Sequence, residues 1–410
     1  MAILLNLALS LTLFLALWLL LVMFMLFVVY GRDIRRLWKE PMLRYPVVIF
    51  ESDDWGVGPQ EQVPALTELL QLFQGYRDRQ QRHPVLTLGL ILAEPDPQKI
   101  IEQNSYCYRD LSHAEYAELV QLIKQGQPSV FALHLHGMEH FWPPSLMNRL
   151  QMKEVKQWLF ENADHKTENL PSFLQSRWCD TSSLPSKPIS EQAIAKAIAK
   201  ELQCFERVFA QKPRVVVPPT FVWTDAVIEK YIKHAVKIYI TPGRQFTGRN
   251  ANGELQSNGR TFYNGECDHN TACYLVRDIY FEPQKGHKSE QVMRDILKHH
   301  HCGRPALIEM HRFNFLEDKA ASLQELKQLL DAVSTQFSHV MYLNVEELMA
   351  AYCSNNKELI LLNSLPRLRV WLHRLQEYFK YKRLARYSGF NGLLKGVTRL
   401  MPALSGREGV

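Results

Sequence analysis

Residues 1–31 contain no charged side chain. After residue 30 no apolar run reaches the roughly 20 residues of a membrane span, which excludes a polytopic membrane protein. There is no CxxC pair, so a zinc ribbon is not expected. The seven cysteines (Cys107, Cys179, Cys204, Cys267, Cys273, Cys302, Cys353) are odd in number and do not form a disulfide framework in a chain of 410 residues. Free, mostly buried thiols are the expectation. The chain has no internal repeat. It is not poor in apolar residues either: 46% are hydrophobic and 22% charged, which excludes wholesale disorder.

Charge is unevenly spread. Residues 357–410 hold 11 Lys/Arg and 3 Asp/Glu, leaving 37 basic and 39 acidic residues for the rest. The tail is therefore net +8 and the remainder net −2. The stretch from Ala2 to Tyr30 is Leu, Phe, Val, Met and Ala, broken by Asn6, Ser10 and Thr12. As a helix it would be about 43 Å long, enough to cross a bilayer with tilt. A cleaved signal peptide is the competing reading. Its apolar core is shorter and follows Lys or Arg, and neither holds here. Residues 1–31 are read as a single-pass transmembrane anchor and 32–45 as a basic juxtamembrane linker. Arg32, Arg35, Arg36, Lys39 and Arg44 all follow the span, which by the positive-inside rule favours a cytoplasmic body. Unpaired cysteines point the same way.

From Tyr45 short apolar runs alternate with helical stretches. Strand candidates are Val47–Phe50, Val85–Leu92, Val130–Leu135, Val215–Val217, Val236–Ile240, Leu275–Phe281, Ala306–His311 and Val340–Leu343. Helical spacing appears at 61–74, from a Ser112 cap to Lys124, and at 145–162, 190–210, 225–234, 288–301, 319–334 and 345–352. Residues 242–270 read as a loop or hairpin. Near-continuous apolar strands between helices predict a mainly parallel α/β sheet buried on both faces. The polar residues follow the strands, and in a β/α barrel that end carries the active site.

Three strand ends stand out: Asp53-Asp54, then His136 and His140, then His311. Histidines at i and i+4 can face one ion. Imidazole and carboxylate are ordinary ligands for Zn²⁺ and other divalent metals. One Asp and two His leave positions open for water and substrate, as a hydrolytic metal needs. A second Asp beside the ligand can take a proton, and a His opposite can give one. Each piece has a plainer reading alone: a turn, a helix-surface pair, a core histidine.

Together they resemble the polysaccharide deacetylase family, the chitooligosaccharide-deacetylase homology domain. The residues concerned are Glu51-Ser52-Asp53-Asp54 after a strand, His136-Gly-Met-Glu-His140, and Leu307-Ile-Glu-Met-His311. The resemblance covers about 46–350, and residues 46–353 are taken as the domain. It implies a deformed (β/α)7 barrel and a metal-dependent amide hydrolase acting on an N-acylated sugar of a glycan or lipid-linked saccharide. It further implies Asp53 as base, Asp54, His136 and His140 as metal ligands, and His311 as acid. This sequence departs from the pattern in three places. Val217 stands before Pro218-Pro219 where the family has an Arg that orients the base, with Arg214 a turn too early. Gly137 replaces a hydroxyl residue, and Arg312 replaces the usual Asp. Arg312 is the candidate for the missing cation. A catalytically inactive glycan-binding or scaffold barrel, and a hydrolase of another amide or ester, stay as alternatives.

Further substrate-binding candidates are Trp55, Trp142 and Trp223 beyond strand ends, as a sugar platform or as core, with Glu139 and Asn314. His299-His300-His301-Cys302 is read as a helix end, and Asp268-His269 as a solvated loop. The tail, 354–410, places Leu368, Trp371, Leu372, Leu375 and Phe379 against Arg369, Arg374, Lys380, Lys382, Arg383 and Arg386. That pattern reads as a basic amphipathic helix for a membrane surface, or as a helix packed on the barrel. Nucleic acid is not an expected partner, since no recognised motif accompanies the charge.

Overall fold

The computed structural model describes residues 2–161 and 165–378, together with Gly392, Gly396 and Thr398. Eight parallel strands form the main path of the sheet, with a short ninth, Met341–Tyr342, parallel to the start of the first: β1 (Val47–Gly56), β2 (Leu86–Ile91), β3 (Phe131–Leu135), β4 (Val215–Val216), β5 (Ile238–Thr241), β6 (Cys273–Val276), β7 (Ile279–Tyr280) and β8 (Ala306–His311). They pair in the order β6-β5-β4-β3-β2-β1-β8-β7. Only Arg277 and Asp278 separate β6 at one end of this path from β7 at the other. Those two residues span at most about 11 Å. The sheet is therefore curled on itself, with β6 and β7 as two halves of one broken stave. This is a seven-stave parallel barrel, deformed at the sixth stave, in agreement with the sequence expectation.

Helices cover the outside: α2 (Gln62–Gln74), α3 (Ala117–Gly126), α4 (Glu191–Phe209), α5 (Asp225–Lys233), α6 (Ser289–His301), α7 (Lys319–Gln336) and α8 (Val345–Ser354), all following α1 (Ala2–Lys39). The apolar faces of α2–α7 meet the strands in one large core, to which Phe50, Leu88, Leu133, Ile198, Ile308 and Leu329 belong, while Val345 and Leu348 of α8 join Val47, Ile49 and Leu307 in a second. Cap chemistry explains the sharp starts. Ser190 accepts from the Ala193 N–H to open α4, and Asn344 and Glu347 form a reciprocal capping box on α8. A hairpin (Arg244–Arg249 with Leu255–Thr261) replaces the helix after β5.

Several local expectations are corrected. Ser112 does not cap α3; its hydroxyl bonds Asp110, Glu115 pairs with Arg109, and the helix starts at Ala117 after a 3-10 turn. Residues 145–162 do not form one helix. Pro143–Asn148, Lys153–Lys156 and a π turn at Gln157–Glu161 wrap Leu146, Val155, Trp158 and Leu159 around a small separate core. Asp268 is not solvated: it accepts from the Tyr274 hydroxyl at 2.7 Å and from two backbone N–H groups, fixing its turn. Cys267 and Cys273 are not free thiols but a cross-strand disulfide; the other five cysteines are free. Disulfides persist in oxidising compartments, so flanking charge is left as the only argument for a cytoplasmic body.

The first part of the segment read as a juxtamembrane linker, 32–39, is helical. α1 runs unbroken to Lys39 and is long and apolar enough to cross a membrane. Part of the tail forms α9 (Ser364–Glu377), which packs Leu372 and Leu375 against Ile34 and Leu37 of α1. Arg374 is wholly buried at this junction. Its guanidinium donates to the carbonyls of Leu37, Glu40, Pro41, Cys302 and Gly303. Phe379, Lys380, Lys382, Arg383 and Arg386 lie outside the described residues.

Candidate functional site

Adjacent residues of a strand point to opposite faces, so Asp53 and Asp54 would not normally share a site. The pairing of β1 with β2 slips between Ser52 and Trp55, and Asp54 adopts a left-handed backbone with φ of 70°. This bulge turns both carboxylates into the mouth of the barrel. Aspartate is among the few non-glycine residues that tolerate this conformation. On the other side of β1, Asp53 is in register with His311 of β8, so the two stand at the same height.

Asp54 meets both histidines of the loop after β3. Its Oδ1 lies 3.5 Å from His136 Nε2 and 3.6 Å from His140 Nε2. One ligand atom from each residue falls within 4.8 Å of the others. Ligands around a tetrahedral cation at about 2.1 Å are about 3.4 Å apart, so the spacing suits a metal. The donor atoms fit too. Asp54 Oδ1 and His136 Nε2 are buried without a hydrogen-bond partner among the described residues. His136 Nδ1 donates to the Val217 carbonyl at 2.8 Å, which fixes the ring with Nε2 as the free lone pair. Burial holds the His140 imidazole down at about 4, ready to ligate as the neutral form. Val217 thus serves through its carbonyl, where the family pattern would use a side chain before Pro218.

The cation beside Asp53 is Arg277, at the break between β6 and β7. Its Nη2 donates to Asp53 Oδ2 at 2.6 Å, and its other nitrogens reach Glu51 at 3.2 Å and Glu309 at 3.1 Å. Burial alone would raise the Asp53 carboxyl, but Arg277 outweighs it and holds the group at about 2. Three carboxylates on one guanidinium leave an excess of negative charge. Burial accordingly pushes Glu51 up to about 7. Arg312 does not play this part. It is buried away from Asp53 and donates to the Val57 carbonyl at 2.6 Å. Arg214 is 71% exposed and pairs with Glu346.

His311 has its own carboxylate. Its Nδ1 donates to Glu282, just after β7, and Glu282 also accepts from the Asn314 amide. Burial opposes a charged imidazole here, but the Glu282 bond prevails and raises His311 to about 10. Sequence reading missed both Arg277 and Glu282. A signal existed for Arg277: a charge interrupting the apolar run Tyr274-Leu275-Val276 is rarely tolerated without a buried partner.

Asp53, Asp54, His136, His140, Arg277 and His311 line a cavity of about 170 Å³, which Thr167, Glu168, Gln175, Lys285 and Phe313 also border. None of the five expected substrate contacts lines it. Trp55 and Trp223 are wholly buried, as core demands of rings this large. Trp142 stands at the N-cap position of the helix Pro143–Asn148, without a side-chain capping bond, and is half-buried. Glu139 is spent on Arg177 and Tyr106, and Asn314 on Glu282. The phenyl rings at the cavity are Phe221, 5.3 Å from the Arg277 guanidinium, and Phe313, stacked on His311 with 5.9 Å between centroids. Gly137 has φ of 107°, and a Cβ there would lie 2.7 Å from the Glu139 carbonyl oxygen. That backbone explains why no hydroxyl residue occupies the position.

The sequence matches no protein-family profile and no curated protein. Solved structures align loosely. One is described as a T48 deacetylase with substrate (12% identity, 75% of this chain and 92% of that one, TM-score 0.34). Another is a CE4 family pseudoenzyme from Bacillus anthracis (11%, 74% and 66%, TM-score 0.35). A third is 4-alpha-glucanotransferase from Thermococcus litoralis (9%, 75% and 40%, TM-score 0.35). Likenesses this distant carry no argument about activity, and the functional reading rests on the chain's own geometry.

Proposed function

We propose that this protein is a membrane-anchored, metal-dependent amide hydrolase that removes an N-acyl group from a sugar. The observation that carries the reading is the meeting of Asp54, His136 and His140 beside the Asp53–Arg277 and His311–Glu282 pairs. Two imidazoles and a carboxylate suit zinc best, with other divalent transition metals as competitors. A bound divalent cation supplies Lewis acidity to a carbonyl oxygen and acidifies water near neutral pH.

The chain's own groups handle the protons. Asp53, kept ionised by Arg277, accepts a proton from the attacking water. It is a weak base at about 2 and therefore works on water that is already acidic. His311 is charged at neutral pH, raised to about 10 with Nδ1 tied to Glu282. Its Nε2 proton goes to the departing nitrogen, which leaves as an amine rather than as a poor anionic leaving group. The sugar assignment draws on the motif resemblance and on the cavity rim, where Thr167, Glu168 and Gln175 offer hydrogen bonds and Phe313 an apolar face. The competing reading, a non-catalytic scaffold, draws on the missing Arg before Pro218. Arg277 beside Asp53 removes that ground.

The test is acetate release from N-acetylated oligosaccharides by the zinc-loaded, full-length protein. The reading predicts release that falls roughly 10²–10⁴-fold in Asp53→Asn and in His311→Ala. No release by the loaded wild type, or equal release by both variants, contradicts it.

A further inference from the structure

Most apolar residues of α1 from Leu7 to Val29 are exposed, Leu9 at 71% and Phe24 at 66%, whereas Val22 and Leu26 are buried with Leu372 and Leu375 of α9. Directly after them Arg32, Arg35 and Lys39 recur at i, i+3 and i+7 and are exposed on one face. The opposite face, with Ile34 and Leu37, is buried against α9. α9 in turn leaves Leu365 56% and Leu368 36% exposed, next to the exposed Leu362. Trp38 sits between the two helices, 5.8 Å from the Trp371 ring and under the Arg367 guanidinium.

The ledge is fixed to one end of the barrel. The carbonyls that hold Arg374 belong to Leu37–Pro41, which precede β1, and to Cys302–Gly303, which precede β8. The candidate site is at the other ends of these strands. From Val48 to Asp53 the rise is about 17 Å.

We propose that the base of the molecule, the juxtamembrane turns of α1 together with α9, is a seating surface for a phospholipid bilayer carrying anionic headgroups. The leucines of α9 enter the interface, Trp38 sits at headgroup level, and Arg32, Arg35 and Lys39 meet lipid phosphates. The partner is fixed by continuity with the apolar span and by charge. The barrel mouth then opens away from the bilayer. This inference rests on the membrane-anchored part of the proposed function and is independent of its hydrolase part.

The full-length protein, with Cys107→Ser and Cys353→Ser, is labelled with an environment-sensitive dye at Leu365→Cys, Leu368→Cys or, in the mouth, Lys285→Cys. Each is reconstituted in vesicles containing phosphatidylglycerol and a lipid-borne quencher. Dyes at 365 and 368 should be quenched about twofold or more, as for an interfacial helix, and the dye at 285 should be unaffected. Unquenched dyes at 365 and 368, or a quenched dye at 285, overturn the proposal. Equal quenching in purely zwitterionic vesicles overturns the role given to Arg32, Arg35 and Lys39.

Discussion

Behind Asp53 there is no room for a methyl group: a Cβ on Gly89 would sit 2.2 Å from Asp53 Oδ1. Gly89→Ala should push the carboxylate off Arg277 and cut kcat by about 10²-fold, the scale of a lost general base. Metal affinity should be unchanged, because Asp54 is held by its own bulge; a titration calorimeter and a rate assay separate the two. Glu282 sets the other proton. Activity that needs a charged His311 is complete below its pKa and lost as pH rises through it, so the alkaline limb should stand near 10. Glu282→Gln removes the main group that raises the imidazole and leaves burial, which lowers it. The limb should then move to lower pH, and a pH–rate profile with an unmoved limb would count against the His311–Glu282 pair. At this scale Asp53, Asp54, His136, His140 and His311 were legible because chemistry-bearing residues sat just past apolar runs. Arg277 and Glu282 were not, since one apolar run at 275–281 concealed a broken strand with a charge at its break. Trp55 and Trp223 were left open between platform and core, because position after a strand does not say whether a ring faces the core or the mouth; both are core.

Helices with clean 3.6-residue spacing and a polar cap, such as α4, were legible to within a residue or two. The stretch at 141–161 was not, because its apolar residues serve a local core instead of one helix face. The tail shows the same limit. Its pattern declared an amphipathic helix, but composition alone does not tell whether the apolar stripe meets lipid or α1. For residues 364–377 the answer is partly α1, and Arg374 is the fastening. Removing a buried guanidinium that satisfies five carbonyls takes a donor from each, and of the five Gly303 still has a backbone N–H, that of Leu43. Arg374→Met should lower unfolding stability by about 3–5 kcal/mol, the usual cost of breaking a buried charged contact. Thermal or denaturant unfolding of the full chain measures it. A loss below about 1 kcal/mol, the worth of a surface contact, would mean that α9 is only loosely attached.

On the scale of the whole chain, parallel strands put every strand's C-terminal end on one face, and that alone gathers groups as distant in sequence as Asp53 and His311. The broken sixth stave lets a charged side chain, Arg277, enter the barrel interior and reach three carboxylates. Among the described residues, the C-terminal turns of α1 and α9 pack together at the opposite end. All chemical claims depend on Asp54, His136 and His140 sharing one divalent cation. Chelator-stripped, full-length protein titrated with zinc in a calorimeter tests this most directly. The wild type should bind one equivalent, and Asp54→Ala and His136→Ala should each weaken binding by at least about 10-fold. A wild type that takes up no zinc, or two variants that bind it as tightly as the wild type, would contradict the account.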